Sequence, residues 1–281
     1  MLRTRLWTAA IALPILLAAI LFASNSFFRL FIATLGCWAL YEIATMTGVT
    51  SKPSVTTNPG DTTEPRPPGT TLVAIGILLF FGAFPLFWGL YSGTDVWLMP
   101  TVAICIVLSL MADVALRGAA AGPKGYSLIL DGAMYVGFLF PYFAMLRNSP
   151  RGIQLIVLML ALTIASDTGA YFVGSQVGRT KLMPLVSPNK TVEGAAGGLA
   201  ASIAAGMLLR PLLVADWTIT GTLVFSAAIA VLAQLGDLTG SALKRTAGVK
   251  DSGWIFPGHG GLIDRTCSLV LAAVFTYYYS K

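Results

Sequence analysis

Charged residues are scarce in this chain of 281 residues: lysine, arginine, aspartate and glutamate make up 11% of it, whereas 56% is hydrophobic. Ordinary soluble domains carry roughly 25% charged residues, so the composition excludes a typical soluble globular fold. Several apolar runs also approach the ~20 residues that a helix needs to cross the hydrocarbon core of a bilayer. The sequence therefore predicts an all-α polytopic membrane protein.

Cysteine and histidine are also rare, with three residues and one residue respectively. Three cysteines (Cys37, Cys105 and Cys267) do not make a disulfide framework, and one histidine excludes a histidine-rich zinc site. The chain contains neither the GxxxxGK[ST] phosphate loop nor the GxSxG nucleophile elbow, which excludes two common soluble active sites. Its net charge of +6 forms no basic block, so we expect no nucleic-acid partner.

The apolar runs predict about nine transmembrane helices, the last of which begins with the charged pair Asp264 and Arg265. Between the second and third runs, proline, threonine and glycine predict a flexible loop at 47–69. The predicted spans are residues 6–24, 27–46, 70–91, 96–116, 127–146, 152–174, 193–214, 217–236 and 262–280.

The distribution of lysine and arginine predicts the orientation in the membrane. With the N-terminus inside, twelve of these residues fall in inside loops and five in outside loops. Because positive charge favours the cytoplasmic side, we expect a cytoplasmic N-terminus. The charged loops at 175–192 and 237–261 then share the cytoplasmic side, as a single active site requires.

Carboxylates within or at the ends of apolar runs indicate function, because charge at membrane depth is costly. Asp167 lies inside one run and Asp237 ends another. Glu42 lies in an early run, where an interfacial or paired carboxylate explains it as well as function does. We therefore expect residues 1–150 to form an N-terminal membrane scaffold and residues 151–281 to form the catalytic membrane region.

A stripe of polar residues follows Asp237 at helical spacing. Ser241, Lys244 and Arg245 come four, seven and eight residues later, so a continuing helix would place all four on one face. The alternative is an ordinary solvated face, but this helix would emerge directly from an apolar span.

A polar loop precedes the span at 193–214 and supplies three candidate residues, Ser187, Lys190 and Glu193. Ser187 or Thr191 could cap the following helix, and Glu193 would be favourable near its N-terminus, which is a structural alternative to a binding role. GxxxG spacing at 174–178 and at 194–198 indicates closely packed membrane helices.

The segment 244–265, KRTAGVKDSGWIFPGHGGLIDR, gathers glycines, cations and carboxylates. Glycines allow tight turns and let backbone amides approach an anion. Lysine and arginine bind phosphate, while carboxylates suit Mg²⁺, so the combination indicates polyphosphate chemistry. His259 is equally compatible with a loop hydrogen bond and with substrate binding or proton handling.

Three blocks carry a resemblance to a known family: DTGAYFVGSQVGRTKLMPLVSPNKTVEGAAGG, QLGDLTGSALKR, and KDSG followed by FPGHGGLIDR. They closely resemble the blocks of the phosphatidate cytidylyltransferases, the integral membrane CDP-diacylglycerol synthases, and cover roughly residues 165–198 and 234–268. The resemblance implies the reaction CTP + phosphatidate → CDP-diacylglycerol + pyrophosphate. It also implies a multi-helical membrane fold.

The resemblance also assigns roles by position. Asp237 and Asp264 would organise a divalent metal. The expected catalytic residues are Asp237, Lys250, Asp251, Asp264 and Arg265. The expected substrate-binding residues are Asp167, Ser187, Lys190, Glu193, Ser241, Lys244, Arg245, His259, Gly260 and Gly261.

The implied cofactor is Mg²⁺, and a second, monovalent cation is left open. The implied partners are CTP, phosphatidate, membrane lipid and a second copy of the chain in a homodimer. We expect an integral protein of the bacterial inner (plasma) membrane whose active site faces the cytoplasm.

One position departs from the family signature, which ends in Asp-Arg-x-Asp, whereas this chain has Asp264-Arg265-Thr266-Cys267. Cysteine is a soft ligand and replaces a carboxylate poorly at a magnesium site. Our hypothesis is that Cys267 is introduced or reduces activity. The alternatives are a cytidylyltransferase for another lipid phosphate, such as an ether-linked isoprenoid one, an ion-coupled transporter, and a catalytically weakened scaffold.

Overall fold

The computed structural model describes residues 2–46, 124–184, 186–255 and 260–281, together with the single positions 83 and 87. Within these ranges the chain forms eight helices and one antiparallel hairpin, labelled here in chain order. The helices are α1 (Leu2–Phe22), α2 (Asn25–Met46), α3 (Lys124–Leu139), α4 (Pro141–Asn148), α5 (Gly152–Val177), α6 (Val192–Leu213), α7 (Ile219–Thr246) and α8 (Ile263–Tyr279). The strands are β1 (Lys181–Met183) and β2 (Ser187–Thr191).

The helical membrane fold is confirmed in its coarse form. Four of the described helices are long and apolar enough to cross a membrane, namely α2, α5, α6 and α7 over Ile219–Arg245. The count of about nine spans stays a prediction. The predicted loop at 47–69 and, apart from positions 83 and 87, the predicted spans 70–91 and 96–116 lie outside the described residues.

The predicted span 127–146 is divided into two helices, α3 and α4, which meet at Phe140 and Pro141. Proline has no backbone N–H, and its ring clashes with the preceding turn, so it begins a helix more readily than it continues one. Pro141 accordingly occupies the first turn of α4. The segment predicted as one span thus contains a helix boundary at Phe140, and the span itself stays a prediction.

Helix α7 extends ten residues beyond the predicted span 217–236 and ends at Thr246. Its N-terminus is capped by Thr218, whose hydroxyl accepts a hydrogen bond from the amide of Gly221 at 3.0 Å. The helix therefore carries the polar stripe from Asp237 to Arg245 as one continuous element.

Glycines allow α5 and α6 to pack closely. A Cβ at Gly194 would lie 2.8 Å from the carbonyl oxygen of Ala170, and one at Gly198 would lie 2.7 Å from that of Ser166. Side chains at these positions would collide with the backbone of α5, so the close packing predicted from the glycine spacing is confirmed.

The hairpin β1–β2 departs from the expected all-helical fold. It pairs Lys181 with Thr191 and Met183 with Ser187. Its end leads directly into α6, where Thr191 accepts a hydrogen bond from the amide of Gly194 at 3.1 Å and confirms the expected cap. Through this hairpin, Lys190 lies beside Asp237 of α7.

Candidate active site

Glu193 joins the end of α5 to the start of α6. Its carboxylate accepts backbone hydrogen bonds from Arg179 at 3.1 Å and from Thr180 at 3.1 Å. A carboxylate at a helix N-terminus is also favourable for the helix dipole. Glu193 therefore has the structural role expected at the N-terminus of α6, and its role in binding substrate stays a prediction.

Lys190 links the hairpin to α7. Its Nζ lies 2.6 Å from Oδ2 of Asp237, and the two side chains are 27% and 38% exposed. Residues 47 positions apart thus form an ion pair that water can still reach. Since water can reach it, this pair can rearrange around a charged ligand.

Lys244 and Asp264 form a second ion pair between α7 and α8, and it is much more buried, with side chains 13% and 5% exposed. The Oδ2 atom of Asp264 also accepts the amide of Ser252 at 2.9 Å and the amide of Gly261 at 2.9 Å. Because both oxygens have donors, the carboxylate is fixed in place. Asp264 thus connects the start of α8 with the end of α7 at Lys244 and with the intervening loop at Ser252 and Gly261.

Two consecutive glycines make room for these contacts. Gly260 has φ +83°, and a Cβ there would lie 2.5 Å from Oδ2 of Asp264. A Cβ at Gly261 would lie 2.1 Å from the hydroxyl oxygen of Ser252. Glycine is therefore required at both positions. The sequence predicted close approach of this loop to an anion, and in the structure that anion is a carboxylate of the protein itself.

Glu42 was given no role among the expected site residues, yet α2 places it against the same segment. It is 2% exposed and accepts hydrogen bonds from the amides of Leu262 at 2.7 Å and Ile263 at 3.0 Å. The hydroxyl of Ser252 donates to it at 2.8 Å. A carboxylate inside an apolar run was the available signal, but its partners lie more than 200 residues away.

Cys267 lies between the two helices that carry the aspartates. Its side chain is buried, and its Sγ is 3.7 Å from Oδ1 of Asp237. A Cβ on Gly240 of α7 would lie 2.7 Å from the Cβ of Cys267, so α7 and α8 are close here. The thiol therefore lies beside Asp237, where the family signature has a carboxylate.

The remaining expected residues lie around these pairs. Asp167 is exposed on α5. Arg245 donates to the carbonyl oxygen of Val249 at 3.2 Å and thereby closes the turn after α7. His259 lies outside the described residues. The exposed members are Lys250, Asp251 and Arg265, and the half-buried ones are Ser187 and Ser241.

Metal-type ligands are sparse in the part of the chain that the structure describes, where no group of three or more His, Cys, Asp or Glu residues could hold a metal ion. Asp237 and Asp264 remain as two carboxylates on adjacent helices. Mg²⁺ commonly takes one or two carboxylates and completes its shell with water and substrate phosphates. The donor set is compatible with that mode of binding.

Comparison with known proteins confirms the family suggested by the signature. The model described as "Cytidylyltransferase family" matches residues 3–281. The phosphatidate cytidylyltransferase of Bacillus subtilis is 35% identical over 205 residues, which are 72% of this chain and 75% of the relative. Those of Synechocystis sp. and Brucella suis are 42% identical over 161 and 151 residues. These last two matches cover 57% and 53% of this chain and 53% and 55% of the relatives.

Proposed function

The chain belongs to the cytidylyltransferase family, and we propose that it transfers a cytidylyl group from CTP to phosphatidate, giving CDP-diacylglycerol and pyrophosphate. The observation that carries this proposal is the meeting of the signature segments. The pairs Lys190–Asp237 and Lys244–Asp264 join the hairpin, α7 and α8 at one end of the helices. Cations and carboxylates are thereby gathered where a triphosphate and a lipid phosphate would meet.

The reaction needs little acid–base chemistry from the protein. A phosphatidate oxygen is already a nucleophile at neutral pH. It attacks the α-phosphorus of CTP, the bond from that phosphorus to the bridging oxygen of the β-phosphate breaks, and pyrophosphate leaves with the electron pair. The work of the chain is to align these atoms and to balance charge.

We assign the positive side chains to the phosphates. Lys190 pairs with Asp237 and remains partly exposed, and Arg265 is exposed on the first turn of α8, so both are suited to a ligand that enters from water. Lys250 is also exposed and belongs to the same loop as Asp251. Lys244 is held by Asp264 and therefore acts mainly by fixing that carboxylate.

We assign a divalent cation, Mg²⁺, to Asp237 and Asp264. Asp237 is the better candidate for direct contact, because its side chain is 38% exposed, whereas that of Asp264 is 5% exposed and hydrogen-bonded at both oxygens. A bound Mg²⁺ would neutralise charge on the triphosphate and make pyrophosphate a better leaving group. Activity measured with and without K⁺ tests whether a monovalent cation joins it.

The apolar helices make this chain a membrane protein. We place it in the bacterial inner membrane with the site facing the cytoplasm, which the distribution of lysine and arginine favours. We also propose a homodimer. Leu208 and Leu212 of α6 are 75% and 77% exposed in the single chain, so lipid or a second copy must cover them.

The test is CTP-dependent turnover of phosphatidate by the purified protein in detergent, followed by pyrophosphate release and mass spectrometry of the lipid. We expect CDP-diacylglycerol with Mg²⁺ and none with EDTA. An ether-linked isoprenoid phosphate as the better substrate would redirect the assignment to that lipid. Magnesium binding without turnover on either lipid would contradict the enzymatic proposal and favour a scaffold.

A further inference from the structure

We infer that Glu42 is a positioning residue for the candidate active site, although it lies in the half of the chain expected to be scaffold. This inference rests on the proposed function only for its kinetic readout. Its geometry stands alone: a carboxylate from α2 reaches the loop before α8 and the first turn of α8 itself.

The N-terminus of α8 needs an acceptor from elsewhere. The first amides of any helix have no partner within the helix. The N-cap residue here is Leu262, whose apolar side chain cannot accept a hydrogen bond. Glu42 accepts the amides of Leu262 and Ile263 at 2.7 and 3.0 Å, and its negative charge also complements the helix dipole.

The same carboxylate reaches Asp264 through Ser252. The hydroxyl oxygen of Ser252 lies 2.8 Å from Oε2 of Glu42 and 3.1 Å from Oδ2 of Asp264. A hydroxyl has one proton to donate, so the two carboxylates compete for it. The amide of Ser252 donates to Asp264 as well, at 2.9 Å. Glu42 therefore holds the residue that in turn holds Asp264.

The surroundings fit a carboxylate and little else. A Cβ at Gly253 would lie 2.6 Å from Oε1 of Glu42, and one at Gly261 would lie 2.5 Å from Oε2. Trp38, one turn earlier on α2, donates its indole N–H to Oε1 at 3.2 Å. The two oxygens thus accept four hydrogen bonds from donors that surround them, which an amide cannot do because its nitrogen is itself a donor.

The decisive variant is Glu42→Gln, which keeps the shape but turns one acceptor into a donor. If Glu42 acts as an acceptor, we expect kcat to fall about 10- to 100-fold, the usual effect of removing a group that orients an active-site ligand. The KM for CTP should change much less, because the hydrogen bonds of Glu42 among the described residues go to Trp38, Ser252, Leu262 and Ile263, and none of these lies in the hairpin. If Glu42 served only to fill space, Glu42→Gln would retain wild-type activity.

Hydrogen exchange supplies a readout that needs no turnover. In Glu42→Gln, the amides of Leu262 and Ile263 should exchange faster than in the wild type. Asp216→Asn, a carboxylate change in the connection between α6 and α7, should leave them unchanged. Ser252→Ala serves if the Glu42 variant does not fold: it keeps the cap of α8 but should still lower kcat.

Wild-type kcat in both variants, or unchanged exchange in Glu42→Gln, would overturn the inference. If the wild type shows no transfer from CTP, the proposed function fails, and the exchange rates alone decide the role of Glu42.

Discussion

Replacing Cys267 by aspartate should make this protein less stable without divalent metal and more active with it. Cys267 is 2% exposed, and its Sγ lies 3.7 Å from a carboxylate oxygen of Asp237. A carboxylate at this position would therefore lie about 4 Å from that of Asp237. At an effective dielectric constant of about 20, two like charges at this separation repel by roughly 4 kcal/mol.

A divalent cation between the two carboxylates would attract both and so replace their repulsion by a net attraction. We therefore expect Cys267→Asp to unfold at a lower temperature than the wild type in EDTA and to gain more from added Mg²⁺. Turnover of phosphatidate should also rise, because the variant has the complete signature. Thermal unfolding in detergent, measured across a Mg²⁺ titration, gives the first result, and the turnover assay gives the second.

The matched control is Cys267→Asn, which has the shape of aspartate without its charge. It meets the same close contact with Gly240, so steric cost is common to both variants. Equal stabilisation of the asparagine and aspartate variants by Mg²⁺ would contradict a metal site at position 267, as would an aspartate variant with no gain in turnover.

Three further predictions use matched pairs. Lys244→Met leaves the buried carboxylate of Asp264 unpaired and should lower the free energy of unfolding by about 3–5 kcal/mol. Asp216→Asn breaks an exposed ion pair with Arg151 and should leave that free energy almost unchanged, so equal effects would contradict the burial of the Lys244–Asp264 pair. Gly261→Ala should abolish activity, because the added Cβ would collide with Ser252 and Glu42. Gly248→Ala, at φ +75° with open space around it, should lower the free energy of unfolding by only about 1–2 kcal/mol and keep the enzyme active. An active Gly261→Ala enzyme would contradict the close packing at Gly261. Thr191→Ala and Thr218→Ala each remove a helix N-cap and should each lower the free energy of unfolding by about 1 kcal/mol. Only Thr191→Ala should raise the KM for CTP, and a similar KM in both variants would argue against CTP binding beside the hairpin.

Local signals predicted the elements that carry the site. The apolar runs predicted the bounds of α5, α6 and α8 to within about three residues at each end. A long apolar segment forms a continuous helix because the helix satisfies its own backbone hydrogen bonds. Helical spacing also predicted that Asp237 and Lys244 share one element. The threonine before α6 was predicted as a possible cap, since short hydroxyl side chains satisfy the first amides of a helix.

What the sequence did not predict depends on distant partners. The hairpin lacks alternating apolar residues, and its neighbour Glu193 ties both flanking helices together through backbone amides. The role of Glu42 depends on contacts with Ser252 and Leu262, more than 200 residues later. The local signal is the apolar N-cap Leu262 after a glycine-rich loop, because its side chain cannot accept a hydrogen bond from the first amides of α8.

We propose that the α-phosphorus of CTP moves to a lipid phosphate at the site built from the hairpin, α7 and α8. The most direct measurement supplies CTP labelled at the α-phosphorus or at the γ-phosphorus to the purified protein with phosphatidate and Mg²⁺. We expect the α-label to appear in CDP-diacylglycerol and the γ-label in pyrophosphate, and Asp237→Asn to abolish both. Transfer of the γ-label to lipid would contradict it, because the chain would then be a kinase and not a cytidylyltransferase.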